Sequence, residues 1–341
     1  MSDKPKLLVV ELWGLGDLVI ATSFMRAAAE KYVVTHLGKP YAAELQQRFW
    51  PGVRIEPFSA PWSAIRDKYQ LWRWPWRTLM KLRRELRARQ FDVCASSRWD
   101  PRDHLLMLFL GMKRRLGFPR LGSACLLTTP LTRPAPGSHR YEQWRVLGRE
   151  LGLTLPDSPP VFPSSQPRRV DVVIHTGAAR GFCIWPLESY AQLIKRLRAA
   201  GWSVRVLCDP NQEEDWRRLG EQAVNAPISI TTLMASLEDA GVFIGNDSGP
   251  GHLAALCGVP TFTLFGPHLP QGWAPLHPAA EWHPGRTCPY KPCEDRCRFG
   301  VHFCMVDVGC DEAWTYILPF VRRHCGDGSR PQSQGALATA G

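Results

Sequence analysis

Short apolar runs alternate with segments whose apolar residues recur at helical spacing from residue 6 to about residue 265. The runs KLLVVEL, VVTHLG, VRIEPF, FDVCASS and RRLGF read as strands. LVIATSFMRAAAEKY, a segment at about 40–49, a basic stretch at about 76–90, PRDHLLMLFLGM and HRYEQWRVLGRELGL read as helices. The pattern stops at PDSPPVFPSSQPRR, residues 156–169, which is rich in Pro and Ser and has no period. It then restarts. VDVVIHTGA, WSVRVLCD, GVFIGND and TFTLFG are strands, separated by helices at about 186–200, EEDWRRLGEQ, LMASLEDA and PGHLAALCG. Strands alternating with helices predict open parallel sheets, so the chain is α/β with two doubly wound domains. The expected division is 1–160, a linker at 161–169, a second domain at 170–310, a final helix at 311–325 and a disordered tail at 326–341.

Composition changes this picture in two ways. The net charge of +11 points to acidic partners, and much of the excess falls between residues 66 and 149. Residues 66–89 hold nine basic and two acidic side chains, interleaved with Trp72, Trp74 and Trp76. Such interleaving suits an anionic membrane surface, and it also suits single-stranded nucleic acid or a plain solvated helix face. Of the eleven cysteines, five crowd into CPYKPCEDRCRFGVHFCMVDVGC, residues 288–310. The N-terminus runs straight into a strand with no basic and apolar leader, and no apolar run approaches bilayer length. The expectation is a cytoplasmic protein, peripheral on the inner face of the membrane. In that reducing setting the clustered cysteines favour a metal over disulfides.

Two turns carry the candidate chemistry. In VVELWGLGDLVIAT, Gly14 and Gly16 let the backbone approach a ligand and free N–H groups for an anion, and Asp17 opens a helix as either its cap or a general base. In FIGNDSGPGHLAALCGVPTFTLFGP, Asp247 follows a strand at its carboxyl end, where ligands of such sheets bind. Ser248 and Gly249 offer N–H groups at a helix start, and His252 lies one turn in. A capped helix with a satisfied histidine is the plainer alternative.

Taken together, LGDLVIATSFMRAA and GNDSGPGHLAALCGVPTFTLFGP resemble glycosyltransferase family 9, which includes the ADP-heptose:lipopolysaccharide heptosyltransferases; the resemblance covers about residues 6–325. It implies the GT-B fold, two Rossmann-like domains facing across a cleft, with no cofactor required for catalysis and a C-terminal helix packing back on the first domain. It implies an inverting transfer of a heptose from an ADP-linked donor to a lipopolysaccharide core or other cell-envelope glycan. Asp17 matches the general base. Gly16, Asp247, Ser248, Gly249 and His252 match donor-binding positions, and Glu213 or Glu214 falls where a carboxylate meets the ribose, unless both are ordinary first-turn acids. In HTGAARGFCIWP, Cys183 stands where the family often has a phosphate-binding Lys, leaving Arg180 to supply the cation and Thr176 and His175 at the strand end. Arg98 and Arg102 in SSRWDPRD are the acceptor-binding candidates, against a surface salt network.

The clustered cysteines are spaced C-x4-C-x3-C-x6-C-x5-C, without a C-x2-C knuckle. One branch of the resembled family, which modifies autotransporter proteins, holds an iron on four cysteines near its C-terminus. That makes Cys288, Cys293, Cys297 and Cys304 the preferred set for a structural Zn or Fe, and a protein-modifying heptosyltransferase an alternative function. A non-catalytic nucleic-acid-binding protein with a metal knuckle is another. It leaves Asp17 and Asp247 at two strand ends without a purpose, so nucleic acid is disfavoured as a partner. A nicotinamide oxidoreductase needs a third glycine where Val19 stands and an acid after THLGKP.

Overall fold

The computed structural model describes residues 4–63, 74–293 and 296–328. Trp72, with the rest of 64–73, and the tail from residue 329 lie outside the described residues. The chain divides into two compact units: Met1–Pro160 with Ser229–Thr231 and Gln271–Leu276, and the remainder.

The first unit is built on strands β1 (Lys6–Val10), β2 (Val33–Gly38), β3 (Arg54–Pro57), β4 (Val93–Ala95), β5 (Arg115–Gly117) and β6 (Thr129–Pro130). They form one sheet in the order β3-β2-β1-β4-β5-β6, every pair parallel. In β1, Leu7 to Val10 are fully buried, which a parallel strand covered on both faces requires. The helix expected after the first turn is two helices, Leu15–Ile20 and Thr22–Lys31, broken at Ala21. Asp100 caps Pro101–Phe109 by accepting from the Arg102 N–H at 2.9 Å.

The second unit repeats this order. Strands β7 (Val170–His175), β8 (Val204–Leu207), β9 (Val224–Asn225), β10 (Ala240–Asn246), β11 (Thr261–Leu264) and β12 (Glu281–His283) form a parallel sheet ordered β12-β11-β10-β7-β8-β9. Counted along each unit, both sheets run 3-2-1-4-5-6, the dinucleotide-fold order. The order reverses between β1 and β4, and again between β7 and β10. Each crevice outside those carboxyl ends is where such sheets take ligands.

The expected final helix is Cys310–Cys325. Its buried residues Ala313, Ile317, Phe320 and Val321 belong to the core of the second unit, with Val242, Ile244 and Phe262 of that sheet. The apolar stripe repeats at i, i+4, i+7 and i+8, which commits that face to the sheet of the second unit.

Candidate active site

At the reversal point of the first sheet, four charged side chains form a buried ring. Glu11 leaves the end of β1 with its side chain fully buried, and Arg140, just before helix Tyr141–Glu150, is 2 % exposed. Arg140 donates to Asp17 Oδ1 at 3.3 Å, Glu11 Oε2 at 3.2 Å and Ser97 Oγ at 2.7 Å, and also to Gln143. Arg98, after β4, donates to Asp17 Oδ2 at 2.9 Å, and its Nε stands 3.9 Å from Glu11 Oε1. The Gly14 N–H donates to Asp17 Oδ2 at 3.3 Å. Asp17 thus does cap its helix, and it also faces two guanidinium groups that a cap has no use for. Burial alone would raise its pKa, but the charges of Arg98 and Arg140 and the Gly14 N–H outweigh burial and hold it below the ordinary carboxylate range. Burial, helped by the charge of Asp17, pushes Glu11 up to about 7 despite both arginines.

A tryptophan shelf adjoins the ring. Asp103 is fully buried and accepts from Trp62 Nε1 at 2.8 Å and Trp13 Nε1 at 3.1 Å. The Arg98 guanidinium lies over the Trp13 ring, 4.8 Å from its centroid. Arg98 is therefore turned inward, toward Asp17. Arg102 is held by its own cap residue, with Nε and Nη2 on the two oxygens of Asp100 at 2.9 and 2.6 Å.

In the second unit the candidate donor loop follows β10. Asp247 accepts from His268 Nδ1 at 2.6 Å. Ser248 takes an extended conformation as the N-cap of Gly249–Leu256, and its hydroxyl donates to the Asn246 carbonyl at 3.3 Å. His252 is buried one turn into that helix. The short turn Gly181–Cys183 brings Cys183 close: its thiol is pushed up to about 12, first by burial and then by the charge of Asp247, with Arg180 opposing. Arg180 is accordingly the cation near the position that Cys183 fills.

Asn246 was not singled out from the sequence, and it locks this half. Fully buried, it accepts from the Trp185 N–H at 2.9 Å and the Tyr190 hydroxyl at 3.0 Å, and donates to the Thr176 carbonyl at 2.8 Å. Three elements meet on one amide. His175 lies at the end of β7 with its pKa lowered by burial, against the charge of Asp209. A Cβ on Gly177, two residues past β7, would stand 2.3 Å from the Asp209 carboxyl, so a larger residue there would have to displace that side chain.

The other expected donor residues lie after β7 and β8. Thr176 is fully buried, its hydroxyl placed between Gln212 and the Trp216 indole N–H, both at 3.1 Å. Glu213 and Glu214 lie on the first turn of Glu213–Arg218 and pair with Arg217 at 3.3 and 2.6 Å. Glu11, Arg140 and His268 were missed. An isolated charged residue in an apolar run was the available signal for Glu11; Arg140 and His268 stand in loops with no local pattern.

The four preferred cysteines, Cys288, Cys293, Cys297 and Cys304, all line one cavity, together with Phe182 and Phe303. Cys310 instead joins the hydrophobic core. Four thiols on one cavity are the donor set of a tetrathiolate centre. Among the described residues, no group of three or more His, Cys, Asp and Glu side chains is arranged as it stands to hold a metal ion.

The sequence pattern of glycosyltransferase family 9 (heptosyltransferase) matches residues 79–300, more than half of the chain. Lipopolysaccharide heptosyltransferase 1 of Pseudomonas aeruginosa is 33% identical over 114 residues, 32% of this chain and 32% of its own, so the aligned stretch spans about a third of that relative. The structure of E. coli heptosyltransferase WaaC with ADP superposes with a TM-score of 0.71 at 18% identity, covering 92% of this chain and 99% of its own. The iron-containing dodecameric glycosyltransferase TibC of enterotoxigenic E. coli superposes at 0.60 and 16% identity, over 95% and 77%. At those identities both structures speak for the fold.

Proposed function

Because this chain belongs to glycosyltransferase family 9, we propose that it moves a heptose, with inversion, from an ADP-linked donor to a hydroxyl of a lipopolysaccharide core or another cell-envelope glycan. The observation that carries this reading is Asp17: a buried carboxylate at a strand end, kept ionised by Arg98 and Arg140. In the proposed reaction the acceptor oxygen attacks the anomeric carbon as its proton passes to Asp17. The bond from that carbon to the diphosphate oxygen breaks, and its electron pair leaves with the diphosphate. The N–H groups of Ser248 and Gly249 at the helix start, with Arg180, stabilise the charge that develops there. Gly16, His252 and the acids Glu213 and Glu214 complete the donor contacts. Arg98 and Arg102 give the acceptor side an affinity for acidic saccharides. The likeness to WaaC, solved with ADP, supports the choice of nucleotide. Thermal-shift measurements with ADP, UDP, GDP, CDP and TDP test it. Stabilisation by ADP is the expected result; stabilisation by another diphosphate and not by ADP overturns the donor.

The basic helix Trp76–Ala88 buries Leu79, Leu82 and Leu86 and exposes Trp76, Arg77, Met80, Lys81, Arg84 and Arg87. Cations beside an exposed indole support peripheral contact with an anionic membrane leaflet, on its cytoplasmic side. No helix among the described residues is long and apolar enough to cross a membrane.

Cys288, Cys293, Cys297 and Cys304 would hold a structural Zn or Fe, which supplies a cross-link to a segment poor in regular structure and takes no part in transfer. The fold shared with an iron-containing glycosyltransferase supports this, and it keeps a protein acceptor as the second reading. Elemental analysis of protein purified without a metal-affinity tag decides the metal; less than about a tenth of an equivalent, far short of a closed structural site, rules it out.

A further inference from the structure

The ring around Asp17 contains one acid that the proposed mechanism does not use. Glu11 is fully buried at the end of β1, and its two oxygens are engaged separately. Oε2 accepts from Arg140 at 3.2 Å and from the Ser97 hydroxyl at 3.3 Å. Oε1 accepts from the Trp13 N–H at 3.3 Å and faces Arg98. The two guanidiniums that hold Glu11 are those that hold Asp17. Neither arginine can shift without both carboxylates responding.

We propose that Glu11 is a positioning residue for the transfer reaction: it fixes Arg98 and Arg140 against Asp17, and its own proton sets how strongly Asp17 draws the acceptor proton. This rests on the reading of Asp17 as the base. With Glu11 ionised, two acids balance two guanidiniums. With Glu11 protonated, the ring carries one more positive charge, and Asp17 gives up its electron pair less readily. The coupling is reciprocal: the charge of Asp17 raises Glu11, so the charge of Glu11 raises Asp17 by the same free energy. The other groups facing Glu11 are few. Asp103, from helix Pro101–Phe109, raises it, while Lys39 and Tyr41, in the segment after β2, both respond to its charge. Burial lowers Lys39; Tyr41, raised by burial, and His36 on β2, lowered to about 3 by burial, both stay neutral around neutral pH. Asp103, pushed up to about 6 by burial and the charge of Asp100, and Glu11, pushed up to about 7, both titrate near neutrality, and Glu11 is the one that shares both guanidiniums with Asp17.

The test is single-turnover transfer from ADP-heptose to a heptose-free lipopolysaccharide core, followed from pH 5.5 to 8.5. In the wild type the rate should rise through one inflection near pH 7. The rise should be about three- to tenfold, since one unit of basicity in Asp17 is worth at most about a factor of ten. Glu11→Gln should be flat, at the wild-type low-pH level, with ADP affinity unchanged. Glu11→Asp should keep an inflection at a displaced pH. Carbon-13 NMR of glutamate-labelled protein reads the same proton without substrate, as a resonance lost in Glu11→Gln. An inflection retained in Glu11→Gln, a flat wild-type profile, or a Glu11 resonance titrating in the ordinary glutamate range overturns the inference. If Glu11→Gln does not fold, wild type and Glu11→Asp decide, and an inflection at the same pH in both overturns it. Asp17→Asn separates the two claims. Transfer surviving in Asp17→Asn removes the base; transfer abolished there while Glu11→Gln keeps its inflection removes only the role of Glu11.

Discussion

Replacing Arg140 by Met puts the buried ring under the most direct stress. The side chain is 2 % exposed, and it bridges Asp17 and Glu11 while bonding Ser97 and Gln143. Met fills a similar volume without charge, so little cavity is made. What remains is two buried carboxylates facing the single guanidinium of Arg98. Breaking a buried pair in this way costs about 3–5 kcal/mol, and the cost depends on pH. Glu11 has a raised folded pKa, about 7 in the wild type. Its contribution to stability is fully present below its unfolded pKa and lost as pH rises through the folded value. Loss of a neighbouring cation raises Glu11 further, so the charged form is penalised more and the window widens upward. The variant should therefore lose about 4 kcal/mol at pH 8 and clearly less, about 2 kcal/mol, at pH 6, where Glu11 is already protonated. Urea titrations at both pH values, followed by tryptophan fluorescence, give the two numbers. A loss under about 1 kcal/mol at pH 8, the range of an exposed pair, or an equal loss at both pH values, would refute the reasoning.

Asn246→Ala should destabilise the second unit by about 3 kcal/mol, because the Trp185 N–H, the Tyr190 hydroxyl and the Thr176 carbonyl all lose a buried partner; chemical denaturation checks it, and a loss within about 0.5 kcal/mol, typical of surface changes, would contradict it. His268→Ala frees the Asp247 carboxylate beside the donor loop, so ADP affinity measured by calorimetry should change by about tenfold, the worth of one charge-assisted hydrogen bond. Cys304→Ser should lower the bound metal severalfold, whereas Cys310→Ser, in the hydrophobic core, should leave it unchanged. Trp76→Ala combined with Arg84→Ala should weaken sedimentation with anionic vesicles by about tenfold at low salt, at about 1 kcal/mol for each cation near the surface, and should have no effect on neutral vesicles.

The two sheets were legible because buried parallel strands leave continuous apolar runs: VVIH and VFIGN could be read as they stand. Two-residue strands such as Thr129–Pro130 and Val224–Asn225 leave no such run, and Glu281–His283 is an edge strand with a charged end. The site divided along similar lines. Asp17, Asp247 and Ser248 lie where a strand hands over to a helix, and that junction has a local signature of glycine, acid and hydroxyl. Arg140 reaches Asp17 across 123 residues and Arg98 across 81, and no local pattern encodes such a meeting. Thr176 shows the converse. It stands at a strand end, where ligands bind, but Gln212 and Trp216 claim its hydroxyl first.

The most direct measurement is transfer by Asp17→Asn, with ADP-heptose and a heptose-free lipopolysaccharide core, alongside ADP affinity in the same preparation. The account expects ADP to bind within about twofold of the wild type while transfer falls by at least about a hundredfold, the lower end of a general base's contribution. Transfer within about tenfold of the wild type, with ADP binding intact, would contradict it.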